Sequence, residues 1–436
     1  MKFILLCAAA LLCIVMPFTG TSYGQSDEKQ DVSDKLAIDS LTIEEAVRVV
    51  IKNNPELKAF EKEIDAGSAR IRQEQLLPNP SVFMETEDGS FKSFGFGKTY
   101  KSSIGIEQTV PLGGKIGART AVARKEKEIA ILIYENKLRD IVAETKKVFT
   151  TILFAQQLVK IVSDNRDIAQ KLLDVAKIRV EALAAPETEL IKAEIELSGA
   201  QISFSNAEFE LVQAEQQLHN LMGNVDVKIK NYHGELRRTL PELPAPRIEQ
   251  IAIASYPELL HAQKTRELAQ TQHDLAKADR YPDIDISIST GREHIELENN
   301  TVFQWSIALP LPLFNRNQGR IQETRAYVLK AEKEYESSLN TIRSKIRRTI
   351  ILSENSVHQV RMYEEKVLPN AEKSLELMSE GYKEGKFTYI ELLDAQRTLT
   401  QTREDYTKLL ENLNITAIEI ERLTGRTIEQ LSKEER

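Results

Sequence analysis

The sequence predicts a mainly helical protein that carries a small two-faced β-sheet and is built twice from one helix–strand–strand–helix–helix unit. Three observations lead there: a long internal repeat, heptad seams on proline-poor stretches, and short segments that alternate apolar and polar residues. The repeat is the strongest. "NNPELKA" at 53 resembles "SYPELLHA" at 255, and Pro55 and Pro257 lie 202 apart, as do Pro80 and Pro282. "VPLGGKIGAR" matches "LPLFNRNQGR", with Gly117 and Gly319 again 202 apart, and Gly223 and Gly425 close the copies at the same spacing. One register of 202 is therefore expected across almost the whole of each copy. That period is too long for a solenoid and describes a duplication. The expected organisation is a signal peptide over 1–24, a linker over 25–41, a first copy over 42–223, a linker over 224–247, a second copy over 248–425 and a tail over 426–436.

The N-terminus begins with Lys2 and the apolar run "FILLCAAALLCIVM", followed by small residues at Ser22 and Gly24. This is the pattern of a secretory signal. Both cysteines, Cys7 and Cys13, fall inside it, and Leu12 before Cys13 argues against acylation. An exported mature chain without thiols follows, with no disulfide and no cysteine-based metal site.

Composition narrows the class. The 436 residues are 41% hydrophobic and 28% charged, with a net charge of −8. Such a balance gives no footprint for a nucleic-acid partner. No apolar run of spanning length follows the signal, so no transmembrane helix is expected.

Each copy opens with a helix, expected as one segment near 42–77 in the first. Its start is marked by a capping box, "TIEE", from Thr42 to Glu45. A proline break and two strands follow, near 81–87 and 102–110, then 283–290 and 302–311. In "YPDIDISIST" the residues Ile284, Ile286 and Ile288 share one face, and aspartates and serines the other. In the fourth strand Phe303, Trp305, Ile307 and Leu309 share a face. Residues 116–184 then contain no proline and one glycine, enough for a helix about 100 Å long. The second copy carries Pro369 in the matching region, where a bend is expected. Short breaks at "LAAPET" and "KEGKFT" reverse the chain into a last helix. Its heptad seam runs Leu190, Ala193, Leu197, Ala200, Phe204, Ala207, Leu211, Ala214, Leu218, Leu221, and again from Leu392 to Leu423.

The strands have the length of tilted membrane strands, and helices this long leave them no second apolar layer to pack on. Four strands cannot close a barrel, since about eight is the practical minimum. Several chains must pool their strands.

This arrangement resembles the TolC family of outer-membrane efflux ducts over about residues 40 to 425. "PLPLFNRNQGRI" is similar to the branch that works with heavy-metal and cation exporters, and "LTIEEAV" and "GKFTYIELLDAQRTL" also resemble family signatures. The resemblance implies a homotrimer, with a twelve-stranded barrel in the outer membrane and a twelve-helix tunnel across the periplasm. It implies a periplasmic adaptor of the membrane-fusion type and an inner-membrane pump of the RND type as partners. Lipid would meet Ile284, Ile286, Ile288, Phe303, Trp305 and Ile307, and the polar faces would line a wet lumen. Acidic residues ring the tunnel mouth in the family, at positions matching Glu391 and Asp394, though Glu391 also fits a capping box from Thr388. The tips, Leu183, Ala184, Ala185 and Pro186, then Gly385, Lys386 and Thr388, resemble the family's adaptor grooves.

No catalytic set, cofactor motif or metal pair is present: the six histidines form no spaced pair, and "LGGKIG" lacks phosphate-loop spacing. An enzyme is not expected. A coiled-coil adaptor would carry one hairpin between β-rich halves, which are absent. Within the duct class, export of small molecules or metal cations and ATP-driven protein secretion both remain open.

Overall fold

The computed structural model describes residues 40–88, 99–223, 229–242, 244–295 and 298–433. The expected signal peptide, with Cys7 and Cys13, lies outside them. The first copy comprises α1 (Ile43–Asn53), α2 (Pro55–Glu74), β1 (Ser81–Asp88), β2 (Thr99–Val110), α3 (Lys115–Glu181) and α4 (Glu187–Leu221). The second comprises α5 (Ala245–Ser255), α6 (Pro257–Ala278), β3 (Ile284–Ile295), β4 (Glu298–Ala308), α7 (Gln318–Met362), α8 (Leu368–Lys383) and α9 (Tyr389–Thr424). A short α10 (Ile428–Lys433) ends the described chain.

The single helix expected near 42–77 is two. Pro55 cannot donate an N–H and disfavours helical backbone at the residue before it, so α1 stops and α2 restarts. Asn54 serves the junction: its side chain accepts from the N–H groups of Glu56 and Leu57 at 2.9 and 3.2 Å and donates to the Leu221 carbonyl at 3.0 Å. Pro257 breaks α5 from α6 in the same way, with buried Tyr256 in place of the cap. The Thr42–Glu45 capping box forms as expected. The second-copy linker was expected to run to 247, and α5 starts inside it at Ala245.

The expected single register also needs correction. Buried residues of α3 and α7 superpose at 201, not 202: Ala123 on Thr324, Ile141 on Ile342, Thr145 on Ile346, Phe149 on Ile350 and Ile152 on Ser353. Further along, Ala169 and Ala371 return to 202. Between them lies a π-helical turn, Tyr363–Val367, immediately ahead of Pro369. A π turn accommodates one extra residue, and it widens the ladder where the Pro369 ring would clash with the carbonyl of residue 365. Where a bend was expected, the described chain has this π turn. Gly117 and Gly319 are thus 202 apart in number without being structural equivalents.

The helices form a wall in two halves. Above the middle, α2, α3, α6 and α7 lie side by side; below it the order is α4, α3, α9, α8. The 67-residue α3 is the stave that spans both halves. Every seventh residue of α4 from Ala193 to Ala214 is a buried alanine, which lets α3 approach closely, while Leu190, Leu197, Phe204 and Leu211 are half-buried beside them. At mid-height the chain start joins the linker, with Leu41 bridged to Tyr232 through N–H to Asn231 O at 3.0 Å and His233 N–H to Leu41 O at 2.9 Å. Leu236, Leu240, Ile428 and Leu431 bury against this belt, and Phe149 meets Tyr232 edge-on at 6.0 Å.

Candidate functional site

The four strands form one antiparallel sheet in the order β1–β2–β3–β4. The pairing places Ile106 opposite Ile288, Ile286 opposite Ile307 and Ile288 opposite Trp305. A period-two pattern in register puts all six sequence-picked apolar residues on one face. That face is bare. Phe303 and Trp305 are each 70% exposed, Ile307 59% and Ile288 52%; Ile284, at the strand start, is half-buried. The opposite face carries Asp285, Ser287, Gln304 and Ser306, and there Ser103 and Ser289 are buried. It is also the crowded side, where a Cβ on Gly105 would strike Phe83 and Ser289. The sheet is therefore inverted relative to an ordinary half-buried one, with its apolar side outermost. β4 ends at Ala308, so Leu309, expected in the strand, lies beyond it; Pro310 and Pro312 cannot donate to a ladder.

Below the sheet the two copies part. In the first, the turn after β2 is anchored: Asp283 accepts from Leu112 N–H at 3.2 Å and from Lys115 at 2.6 Å, and Gly113, at φ +69°, lies on the Tyr281 ring. In the second, Leu311, Leu313 and Phe314 are exposed, and Asn317 adopts φ +58° to start α7.

At the other end, both helical tips close in the same manner. Ala184 N–H bonds Arg179 O and Lys386 N–H bonds Gly381 O, each at 2.8 Å, with Leu183 and Gly385 in left-handed backbone. These are Schellman closures. Leu183 is 94% exposed, and Ala184, Pro186, Lys386 and Thr388 are also exposed, with Ala185 partly so. The Thr388–Glu391 capping box forms: Thr388 N–H and Oγ1–H donate to Glu391 at 2.7 and 2.8 Å. Those bonds hold the Glu391 carboxyl below its usual range. Glu391 and Asp394 are both exposed on α9, and the cap engages only the first.

Sequence reasoning missed the tie between the tips. Tyr382 Oη donates to Glu189 at 2.8 Å, and the Arg179 guanidinium lies 4.8 Å from the Tyr382 ring centre. Burial, then the bond to Glu189, pushes the phenol up to about 12. This joins α8 to the α3–α4 hairpin around a small core of Leu173, Ala176, Ala193, Tyr389, Leu392 and Leu393. The one available signal was Glu189 standing where the second copy has Glu391. Higher up, Glu419 accepts from Lys147 and Lys345, both at 3.0 Å. Burial raises its pKa, but the two lysines outweigh that and hold it at about 2. Among the described residues no group of three or more metal-type side chains converges, and no helix is long and apolar enough to cross a membrane.

An inverted sheet on a helical wall, built from two copies of one unit, has a counterpart among known proteins. The model of the outer membrane efflux protein family matches residues 46–224 and 249–426, one copy each. The chain belongs to this family. It is similar to the cobalt-zinc-cadmium resistance protein CzcC of Cupriavidus metallidurans, at 30% identity over 390 residues, covering 88% of this chain and 90% of that protein. Outer membrane protein TolC of Escherichia coli is 20% identical over 390 residues, 83% of this chain and 79% of TolC. In fold it matches solved CusC, with a TM-score of 0.75 at 16% identity over 88% and 91% of the two chains. It also matches the Campylobacter jejuni CmeC outer membrane channel, at 0.74 and 14% over 90% and 89%. The protein is an outer-membrane efflux duct with a helical tunnel in the periplasm, and not an enzyme.

Proposed function

We propose that three copies of the chain form the exit duct of a tripartite system that receives divalent metal cations from an inner-membrane pump through a periplasmic adaptor. The observation that carries this is the inverted sheet: four strands, apolar outside and polar inside, with β1 and β4 as open edges. Three such sheets supply twelve strands, enough to close a barrel with Ile286, Ile288, Phe303, Trp305 and Ile307 toward lipid and the serine face toward water. The cargo rests on the relationship to a protein named for cobalt, zinc and cadmium resistance. Asp394 takes the gate role, since its carboxylate stands outside the cap that engages Glu391; three chains would bring three such groups to the mouth. The adaptor docks at the two tips, where Leu183 presents its side chain almost wholly to solvent.

Three tests apply. In detergent the protein should have the mass of a trimer, and a monomer mass would sink the assembly. Cells lacking it should lose tolerance to zinc, cobalt and cadmium; unchanged tolerance to all of them would remove the cargo. For the gate, Asp394→Ala should alter resting conductance and weaken block by multivalent cations in a planar bilayer, and wild-type behaviour would show that Asp394 is only a solvated helix residue.

A further inference from the structure

Within the chain, α9 of the second copy lies along α3 of the first. The repeat makes α4 the counterpart of α9, and α7 the counterpart of α3. Those two helices have no such mates in one chain: α4 packs along α3, and α7 along α6 and α9, which leaves a flank of each uncovered.

The α3–α9 contacts transfer residue by residue, 201 forward from α3 to α7 and 202 back from α9 to α4. Thr151 donates to Glu411 at 2.8 Å. Their counterparts are Leu352 and Phe209, which are 47% and 64% exposed. Thr150 and Asn414 line one cavity together, and their counterparts are Ile351 and Val212, at 64% and 59%. One polar contact and one pair of polar residues facing a shared cavity inside the chain thus have apolar counterparts on the two uncovered flanks. Polarity moves the other way higher up. Val142 and Ile418 line a second cavity, and their counterparts are exposed Arg343 and Gln216, a donor and an amide that can accept from it. The Lys146–Glu421 ion pair transfers to Arg347 and His219 and is lost as such. Lys146 also shares the first cavity with Ala417, whose counterpart is half-buried Glu215, so a carboxylate for Arg347 stands one helical turn away from His219. The charge balance of the flank agrees. Arg343 and Arg347 share the single carboxylate of Glu249 at 3.2 and 3.4 Å, with exposed Arg348 beside them, so the α7 flank keeps surplus positive charge.

We infer that α4 of one protomer seats on α7 of the next as α9 seats on α3 within each chain. Phe209 and Val212 then cover Leu352 and Ile351, while Gln216 and Glu215 meet Arg343 and Arg347. The contact joins two different surfaces, so it is heterologous and closes only by rotation into a ring. It rests on the trimeric reading above and adds the register to it.

The experiment uses the full-length protein in detergent, carrying Phe209→Cys together with Leu352→Cys, treated with a short thiol cross-linker and run on a denaturing gel. The monomer band should be lost to species of two and three chains, which neither single-cysteine variant should produce. A register control pairs Phe209→Cys with Tyr327→Cys, about 40 Å away along α7, and should stay monomeric on the gel. A trimer mass without cross-linking, or with equal cross-linking in the control, overturns the register and leaves the trimer standing. A monomer mass with no cross-linking removes both.

Discussion

The two helical tips reverse the chain with the same backbone and spend it differently. At equivalent positions the first places Leu183 and the second Gly385, both left-handed. Glycine adopts that conformation freely, whereas a residue with a Cβ gives up about 1–2 kcal/mol there. The second tip is the relaxed version: a glycine closure followed by the Thr388–Glu391 box. The first begins α4 at Pro186 with no side-chain cap, and its glutamate, Glu189, reaches Tyr382 on the other hairpin instead of its own helix start. The two copies share one turn, and the first carries a strained, exposed leucine in it. Leu183 combines left-handed backbone with a side chain 94% exposed, which suits it to the adaptor contact proposed above.

The copies should diverge at the tips and agree in the sheet, and the largest expected effect probes the agreement. Ile286→Arg and its counterpart Met84→Arg both place a charge on the bare apolar face, and each should cost roughly 2–4 kcal/mol near the bilayer midplane. Trimer recovered from outer membranes should fall in both variants, while Ser287→Arg should assemble normally. Tolerance of Met84→Arg alone would show that the copies differ in the membrane too.

The next effect concerns acid. Glu419 belongs to the second copy, and its counterpart in the first is the uncharged Gln217. Its folded pKa of about 2 lies below the ordinary 4.5. A depressed carboxylate contributes stability that is complete above pH 4.5 and lost as the pH falls toward 2. That shift corresponds to about 3 kcal/mol. Unfolding midpoints measured between pH 7 and pH 3 should drop less for Glu419→Gln than for the parent protein. Parallel curves would place the acid sensitivity elsewhere.

The smallest effect bears directly on the tips. Leu183→Gly relieves the left-handed strain but loosens the unfolded chain, for a net gain of about 1 kcal/mol or less. Gly385→Leu should lose a comparable amount. If the leucine is kept for contact, Leu183→Gly should raise the melting temperature and still impair metal tolerance in cells. Retained tolerance would reduce Leu183 to an accident of the duplication.

The sequence alone determined what depends on residues close together along the chain. Alternation at a period of two assigns Ile286 and Trp305 to the outer face, because successive strand side chains point to opposite sides. Both threonine–glutamate boxes were legible because a cap and its partner are three residues apart. Prolines mark most of the breaks, Pro55 between α1 and α2 among them, but the second tip, Glu384 to Thr388, reverses the chain without one. Tertiary structure decided the rest. Tyr382 and Glu189 are 193 residues apart, and no local period brings them together; that takes the seating of one hairpin on another. The change of register from 202 to 201 shows in the sequence only at the turn after the strands, where Pro111 and Pro312 are 201 apart, and the π turn before Pro369 restores 202 by absorbing one extra residue. The same holds for α4. Its heptad seam shows in the sequence, but Phe209 and Val212 stand outside that seam and nothing local assigns them a partner. Only packing α4 on α3 by its alanine stripe shows which flank is left for a neighbour.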